Sequence, residues 1–287
     1  MQITFLTTKQ TTLANDDNLL IKQIKKLIPN ITININSFLD QSIDWKKYHI
    51  INLKTAYGYY QYPYEFTNWL KHIKNLNKKF FNPIDHILWN MDKFYLKELE
   101  KNNIQILPTI FIEQNETINL AEIIKEYQWQ KIVIKPSLSA GGNNLFLCDS
   151  TNKESLKKAQ NHISRIQKFS KVLIQEYNNS IAINGEYSAI FIDGEYCYLI
   201  HKKPKNKFIA SYSQGIEVIA VTNQKITNYA KEIFRKISIL GDTLYTRIDL
   251  ILDREKIYLM ELELIEPRLF FDKVDHCFMN KYIKAMI

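Results

Sequence analysis

The chain has 287 residues, 46% of them hydrophobic and 24% charged, and its 38 basic side chains outnumber 30 acidic ones for a net charge of +8. These fractions exclude a chain that is disordered, collagenous or coiled-coil throughout, and the length calls for two or three lobes. No apolar run of about 18 residues exists, so no membrane span is expected. Residues 1–18 read as a strand and a turn, not as a signal peptide. Cys148, Cys197 and Cys277 are scattered and form no CxxC pair, which argues against a disulfide framework or zinc site and suits a cytoplasmic protein. The positive balance suits nucleic acid, anionic lipid or a phosphorylated small molecule, but the lysines are spread out and a solvated surface is the plainer account.

In chain order, QITFLT (2–7) reads as a strand, and Asn15, Asp16 and Asp17 can open a helix carrying Leu19, Leu20, Ile24, Leu27 and Ile28. ITININ (31–36) alternates as a strand does, and YHIINL (48–53) is a further apolar run. This order predicts an α/β lobe with a partly parallel sheet. An aromatic loop (54–66) and a helix (66–76) follow, and Asn82-Pro83 marks a boundary. A helix is expected from Asn90 through Tyr95 and Leu99, and another around Leu120–Tyr127. KIVIKP is a buried strand, SLSAGGNN a loop and LFLCDS the return strand. A helix over 153–168 precedes VLIQEY, SAIFI, GEYCYLI, IEVIAV, YTRIDLIL and IYLMELEL, all strands; one helix, 224–240, interrupts them and ends at Gly241.

The last two strands place Asp249 on one and Glu261 and Glu263 on the other. Alternation puts the two glutamates on one face, and an odd-length loop at DREK would put Asp249 opposite Glu261 there. Unneutralised, such acids repel by on the order of several kcal/mol, a cost that Mg²⁺ or Mn²⁺ removes and that pairing with Lys or Arg on a solvated face also removes. Lys135 ends a buried strand, and Gly141-Gly142 beside it lets backbone amides approach phosphate oxygens; a glycine hairpin with a snorkelling lysine is the alternative. Lys93 falls in the first turn of a helix, where an anion shared with the helix terminus would offset its unfavourable charge, unless it is simply a surface lysine. Gln175, Glu176 and Tyr177 follow a strand and can offer backbone groups to an adenine edge, with a carboxylate further on for ribose hydroxyls. His201 beside KKPK reads as a surface residue, and no nucleophile–base set follows from spacing.

Taken in order, NPIDHILWNMDKFYLKELEKNNIQILPT, VIKPSLSAGGNN, IQEY with INGEYSAIFIDGEY, HKKP, and RIDLI with IYLMELELIEPRLFF resemble the ATP-grasp superfamily. The likeness covers about residues 82–272 and is strongest to small bacterial ligases related to prokaryotic glutathione synthetase and ribosomal-protein glutamate ligase, the group containing the cyclo-ligase of D-cycloserine biosynthesis. It implies an ATP-grasp fold with an N-terminal α/β domain: 1–88 on the substrate side, 89–173 as the lid subdomain and 174–287 carrying the metal site. It further implies that Lys93 and Lys135 hold ATP phosphates beneath the loop Ser139, Ala140, Gly141, Gly142 and Asn143. Gln175, Glu176 and Tyr177 would meet adenine and Glu186 the ribose. Asp249, Glu261 and Glu263 would hold magnesium, Lys202 and Arg247 would act at the transferred groups, and Lys54, Thr55, Tyr57 and Arg268 would face substrate.

The chain departs from such relatives at Lys54–Tyr59, where an Arg-Ser-x-Trp-Asp-Tyr segment is common, near Ile209, where an arginine is common, and at Gly215, the one glycine kept in that turn. The expected activity is ATP-dependent joining of a small carboxylate to an amine through an acyl phosphate, as an intermolecular or ring-closing reaction. The rivals are a peptide-modifying ligase or macrocyclase of the same fold and a non-catalytic nucleotide- or nucleic-acid-binding protein. Neither a membrane nor nucleic acid is the expected partner, and a homo-oligomer is compatible with the family.

Overall fold

The structure, a computed structural model, describes residues 1–9, 13–205 and 215–287. Position 209, singled out above, lies outside the described residues. The first sheet runs in the order β2-β1-β3-β4, from β1 (Gln2–Thr7), β2 (Thr32–Ser37), β3 (Ile50–Asn52) and β4 (Lys79–Phe81). Every neighbouring pair in it is parallel, where a partly parallel sheet was expected. Strand alternation explains how it is covered on both faces. Ile3 and Phe5 of β1 share a core with Leu20 and Ile24 of helix α1 (Asn15–Leu27). Leu6 shares one with Phe66, Leu70 and Ile73 of helix α2 (Pro63–Lys74). The short β4 was not foreseen, since Lys-Phe-Phe shows no alternation long enough to read.

Past β4 the expected helix at Asn90 is two, α3 (Ile84–Asn90) and α4 (Tyr95–Lys101), with the turn between them carrying Lys93. Asp92 makes that break: its Oδ1 accepts from the Phe94 N–H at 3.0 Å, competing with helical bonding. Lys93 therefore lies before a short helix rather than in a first turn, and its N–H donates to the Ser137 carbonyl at 2.9 Å. Packing ties α4 to the end of the chain, because Tyr95, Leu96 and Leu99 share a core with Leu250, Leu259 and Leu262.

The second sheet is antiparallel, in the order β5-β8-β6-β7, from β5 (Thr109–Ile112), β6 (Lys131–Pro136), β7 (Phe146–Asp149) and β8 (Val172–Glu176). Helix α6 (Lys153–Ile166) lays Ala159, Ile163 and Ile166 against Ile132 and Ile134, and α5 (Leu120–Tyr127) adds Leu120. After the short helix α7 (Ser180–Asn184) comes the third sheet, order β11-β10-β9-β12-β13. Its antiparallel strands are β9 (Glu186–Ile192), β10 (Glu195–Pro204), β11 (Ile216–Val221), β12 (Tyr245–Asp253) and β13 (Lys256–Glu263). Helix α8 (Gln224–Lys236) ends before Gly241, which sits in a 3-10 turn (Ser238–Asp242) instead of closing the helix. Helix α9 (His276–Met286) joins first and third sheets, its Met279, Tyr282 and Ile283 packing with Ile3, Phe5, Ile190 and Ile192. Among the described residues no helix is long and apolar enough to cross a membrane.

β13 is an edge strand, and its outer edge is fastened by side chains from far earlier in the chain. Asn90 Nδ2 donates to the Leu262 carbonyl at 2.8 Å, and Asn90 Oδ1 accepts from the Leu264 N–H at 3.0 Å. The Tyr95 hydroxyl accepts from the Leu262 N–H at 2.8 Å. Asn82 does the same where β12 begins, bonding Leu244 and Tyr245 with Oδ1 and the Tyr245 and Leu264 carbonyls with Nδ2. A strand edge left open would be free to shift; these buried amides hold it in place.

Candidate active site

A cavity of about 600 Å³ opens between the second and third sheets and the loop at Gly58. Of the residues expected above to meet nucleotide, metal or substrate, every one except Lys54 and Thr55 lines it.

The basic wall comes from strand ends. Lys135, at the end of β6, donates to Gln175 Oε1 at 3.3 Å across the β6–β8 pair. Burial pushes its amine down to about 8, against the pull of Glu261. Lys93 ion-pairs with Glu261 at 3.0 Å and donates to the Ser139 carbonyl. Ser139 is buried and its hydroxyl donates to the Pro136 carbonyl at 3.1 Å, so the loop leaves β6 in a defined direction. Gly141 and Gly142 have φ of +61° and +77°, and a Cβ on either would meet nothing within 4 Å. The left-handed backbone, not crowding, calls for glycine there. Asn143 bonds back to the Ala140 carbonyl at 3.2 Å, and its Nδ2 donates to the Tyr60 hydroxyl at 3.3 Å, tying the loop to the first lobe.

The acidic wall depends on a bulge. Asp253 pairs with Lys256, so the turn at DREK holds two residues, Arg254 and Glu255, not an odd number. From that turn the register would set Asp249 opposite Met260. A shift between Asp249 and Leu250 inserts one extra residue, Met260, and sets Asp249 opposite Glu261 and Arg247 opposite Glu263. The one face expected for these side chains is there, by a different route.

The three acids are neutralised by the protein's own cations, as the alternative reading of the hairpin allowed. Asp249 accepts from Arg247 Nη2 at 2.8 Å, Lys202 Nζ at 3.2 Å and the Ser188 hydroxyl at 2.5 Å. Burial opposes its charge, but Arg247 and Lys202 hold it well below the usual carboxylate range. Glu263 pairs with Arg247, and burial raises its carboxyl to about 7. Among the described residues no group of acidic, histidine or cysteine side chains stands arranged to hold a metal ion. The donor set nonetheless fits a hard divalent cation: all are carboxylates on one strand pair facing one cavity, and a cation would relieve the burial cost that Glu263 carries.

Glu186 lines the cavity with its carboxylate already paired. It lies opposite Lys202 in the β9–β10 register and pairs with it, and burial raises it to about 7. At the hinge, the Glu176 N–H donates to the Pro108 carbonyl at 2.9 Å and the Tyr177 N–H to the Lys131 carbonyl at 3.0 Å. These two N–H groups are thus engaged within the protein, while Leu107, Val133 and Met260 supply apolar walls.

On the first-lobe side, Tyr57 lines the cavity and its hydroxyl donates to Asp17 Oδ2 at 2.6 Å. Arg268 also lines it, and its backbone carbonyl accepts from Arg247 Nη1 at 3.3 Å. Lys54 differs from expectation: it is wholly buried between Asp17 and Asp16, 3.4 Å from the latter, and does not reach the cavity. Thr55 is buried too, its hydroxyl bonded to the Leu6 carbonyl at 2.5 Å. His201 stacks on Tyr187 with ring centroids 4.7 Å apart and bonds the Asn184 carbonyl, which accounts for it structurally. Sequence reasoning missed Asn82, Asn90 and Tyr95, which fasten the acidic strand, and Glu266, which lines the cavity. Burial raises the Glu266 carboxyl well above the carboxylate range. The one signal for it was a fourth acid three residues after the Glu-x-Glu pair, ahead of a proline.

Two lysines, a glycine loop and an acidic strand pair around one cavity, carried by two antiparallel sheets, define the ATP-grasp class. Residues 91–268 match the RimK-like ATP-grasp domain family, and the chain belongs to that family, whose members are ATP-dependent ligases. Residues 3–82 match the N-terminal domain of D-cycloserine synthetase DcsG. The chain is 21% identical over 178 residues to the cycloserine biosynthesis protein DcsG of Streptomyces lavendulae, an alignment covering 60% of this chain and 58% of that protein. The crystal structure of D-cycloserine synthetase DcsG superposes with a TM-score of 0.83 at 19% identity, covering 99% of this chain and 98% of that one. D-alanine–D-alanine ligase of Bacillus anthracis complexed with ATP superposes at 0.72 with 16% identity, covering 100% and 96%. At these identities the superpositions speak for the fold.

Proposed function

We propose that the protein is an ATP-dependent carboxylate–amine ligase that activates a small amino-acid-like acid as its acyl phosphate and then forms an amide, ring closure within one molecule included. The observation that carries this reading is the meeting of Lys93 and Lys135 with Asp249, Glu261 and Glu263 in one cavity. The family resemblance supports ATP as co-substrate, and the match of residues 3–82 to a cycloserine synthetase domain supports a small amino-acid-derived substrate. A cavity of about 600 Å³ suits a nucleotide with a metabolite better than a long peptide groove.

In this reading Lys93 and Lys135 bind the phosphates and loop 139–143 covers them, excluding water. Leu107, Val133 and Met260 enclose the base, and Glu186 turns to the ribose as Lys202 exchanges its carboxylate partner for phosphate. Asp249, Glu261 and Glu263 hold magnesium, which when bound neutralises phosphate charge. The substrate carboxylate attacks the γ-phosphorus and ADP departs. The amine then attacks the acyl carbon, the C–O bond to phosphate breaks with its electron pair, and the proton lost from nitrogen leaves with the phosphate. Lys202 and Arg247 are the donors for charge that develops on the oxygens. Residues 1–88 form the substrate-side lobe, 89–173 the lid and 174–287 the metal-bearing part in this scheme. Three unpaired cysteines support a cytoplasmic setting.

The test is release of ADP and phosphate from Mg-ATP with a panel of small amino acids, together with calorimetric Mg-ATP binding. Lys135→Ala should abolish measurable nucleotide affinity. Unchanged affinity in that variant refutes the site.

A further inference from the structure

Glu266 belongs to the cavity wall but to none of the roles above. Its Oε2 is shielded from solvent and has no hydrogen-bond partner, while the backbone N–H of Gly58 donates to the same carboxyl group. A buried carboxyl oxygen left in this state is costly, and a ligand that completes it would relieve the cost. The protein's own amines in this region are committed elsewhere. Lys93 is held by Glu261 and the Ser139 carbonyl, and Lys54 is held by Asp16 and Asp17. Burial, Glu263 and Asp17 disfavour a lone negative charge on Glu266 more than Lys93 and the Gly58 N–H favour it, so a cation brought by a ligand would have to supply the difference.

The two walls therefore differ in chemistry. Lys135, Lys202 and Arg247 stand on β6, β10 and β12, on the sheet side, where phosphate and a substrate carboxylate are neutralised. Glu266 faces the Gly58 loop of the first lobe, where positive charge is wanted. A compound satisfying both walls carries a carboxylate and, a few bonds away, a cation small enough to enter beside Gly58 and Tyr57. A primary ammonium matches a carboxylate oxygen that lacks a donor, because it brings three N–H groups.

We propose that Glu266 is the receptor for a free ammonium group of the substrate, so that the acid activated here is an amino acid with an unblocked amine. This rests on the ligase reading and adds to it the class of substrate and the residue that selects it.

The experiment uses the full chain with magnesium and a non-hydrolysable ATP analogue. Probes are glycine, β-alanine and the D- and L-forms of alanine, serine and 2,3-diaminopropionate, each beside its N-acetyl derivative. Binding is followed by ligand-observed NMR and calorimetry. At least one free-amine probe should bind at least tenfold more tightly than its N-acetyl form. Glu266→Gln should remove that preference, weakening the free amine at least tenfold while nucleotide affinity stays within twofold, which also shows that the variant is folded. Equal binding of the N-acetyl forms, an unchanged preference in Glu266→Gln, or nucleotide binding with no bound free-amine probe overturns the assignment. Failure of the wild type to bind the ATP analogue sinks the ligase reading instead, and this proposal with it.

Discussion

Asp249 stands opposite Glu261 only because Met260 is an extra residue in β13. The two-residue turn at Arg254 and Glu255 sets a register in which Asp249 would face Met260, and the bulge resets it by one. Since strand side chains alternate, one residue separates an acidic face on the cavity from one turned into the core. Bulges beside functional sites re-aim side chains in this way.

Deleting Met260 should therefore damage the site more than truncating it. The deletion moves Glu261 and Glu263 one place along β13, while Asn90 and Tyr95 still grip Leu262 and Leu264 at its outer edge. The strand must break either that grip or its register. Calorimetry should show Mg-ADP affinity falling by at least 100-fold in the deletion and by less than tenfold in Met260→Ala. A deletion variant that binds Mg-ADP normally contradicts the role given to the bulge.

Lys135 should make nucleotide binding weaken at alkaline pH. Burial brings its amine to about 8, so it is charged below that pH and neutral above it. Phosphate binding needs the charged form, and affinity should fall by up to about tenfold per pH unit above 8. The nucleotide-free protein behaves oppositely. An unfolded chain holds this proton up to about 10.5, so the depressed amine opposes folding fully below about 8, and stability recovers as pH rises from there toward 10.5. Mg-ADP titrations from pH 7 to 9.5, compared with Lys135→Arg, whose guanidinium stays charged throughout, isolate the contribution. Parallel pH profiles in the two proteins contradict it.

Lys54 should prove a stability residue. Removing its charge leaves Asp16 and Asp17 buried without their partner. Breaking such a pair costs about 3–5 kcal/mol. Lys54→Met should shift the urea midpoint accordingly, with nucleotide affinity nearly unchanged in the folded fraction. Adding Asp17→Asn should restore part of the loss. A midpoint equal to wild type shows that the pair contributes little.

The N-terminal α/β lobe was legible because β1 and α1 carry plain period-two and helical patterns in which Ile3, Phe5, Leu20 and Ile24 fall on the right faces. The lining of the candidate site was legible because its residue types are costly without a partner: a lysine at the end of a buried strand, a glycine pair, an acid pair spaced by two. Lys54 shows where this stops. A lysine after a buried strand is the same local signal as Lys135, and only packing reveals that two aspartates of α1 absorb it. Asn82, Asn90 and Tyr95 carried no signal, because their partners are backbone groups some 160 or more residues away.

Local sequence, then, determined most of the strands and helices and which charged groups must find partners, since both follow from side-chain spacing and the cost of burying charge. Tertiary structure decided which partner each charge received and on which face Glu261 and Glu263 emerge. Those depend on a one-residue bulge and on contacts between distant segments, and neither leaves a periodic trace in the chain.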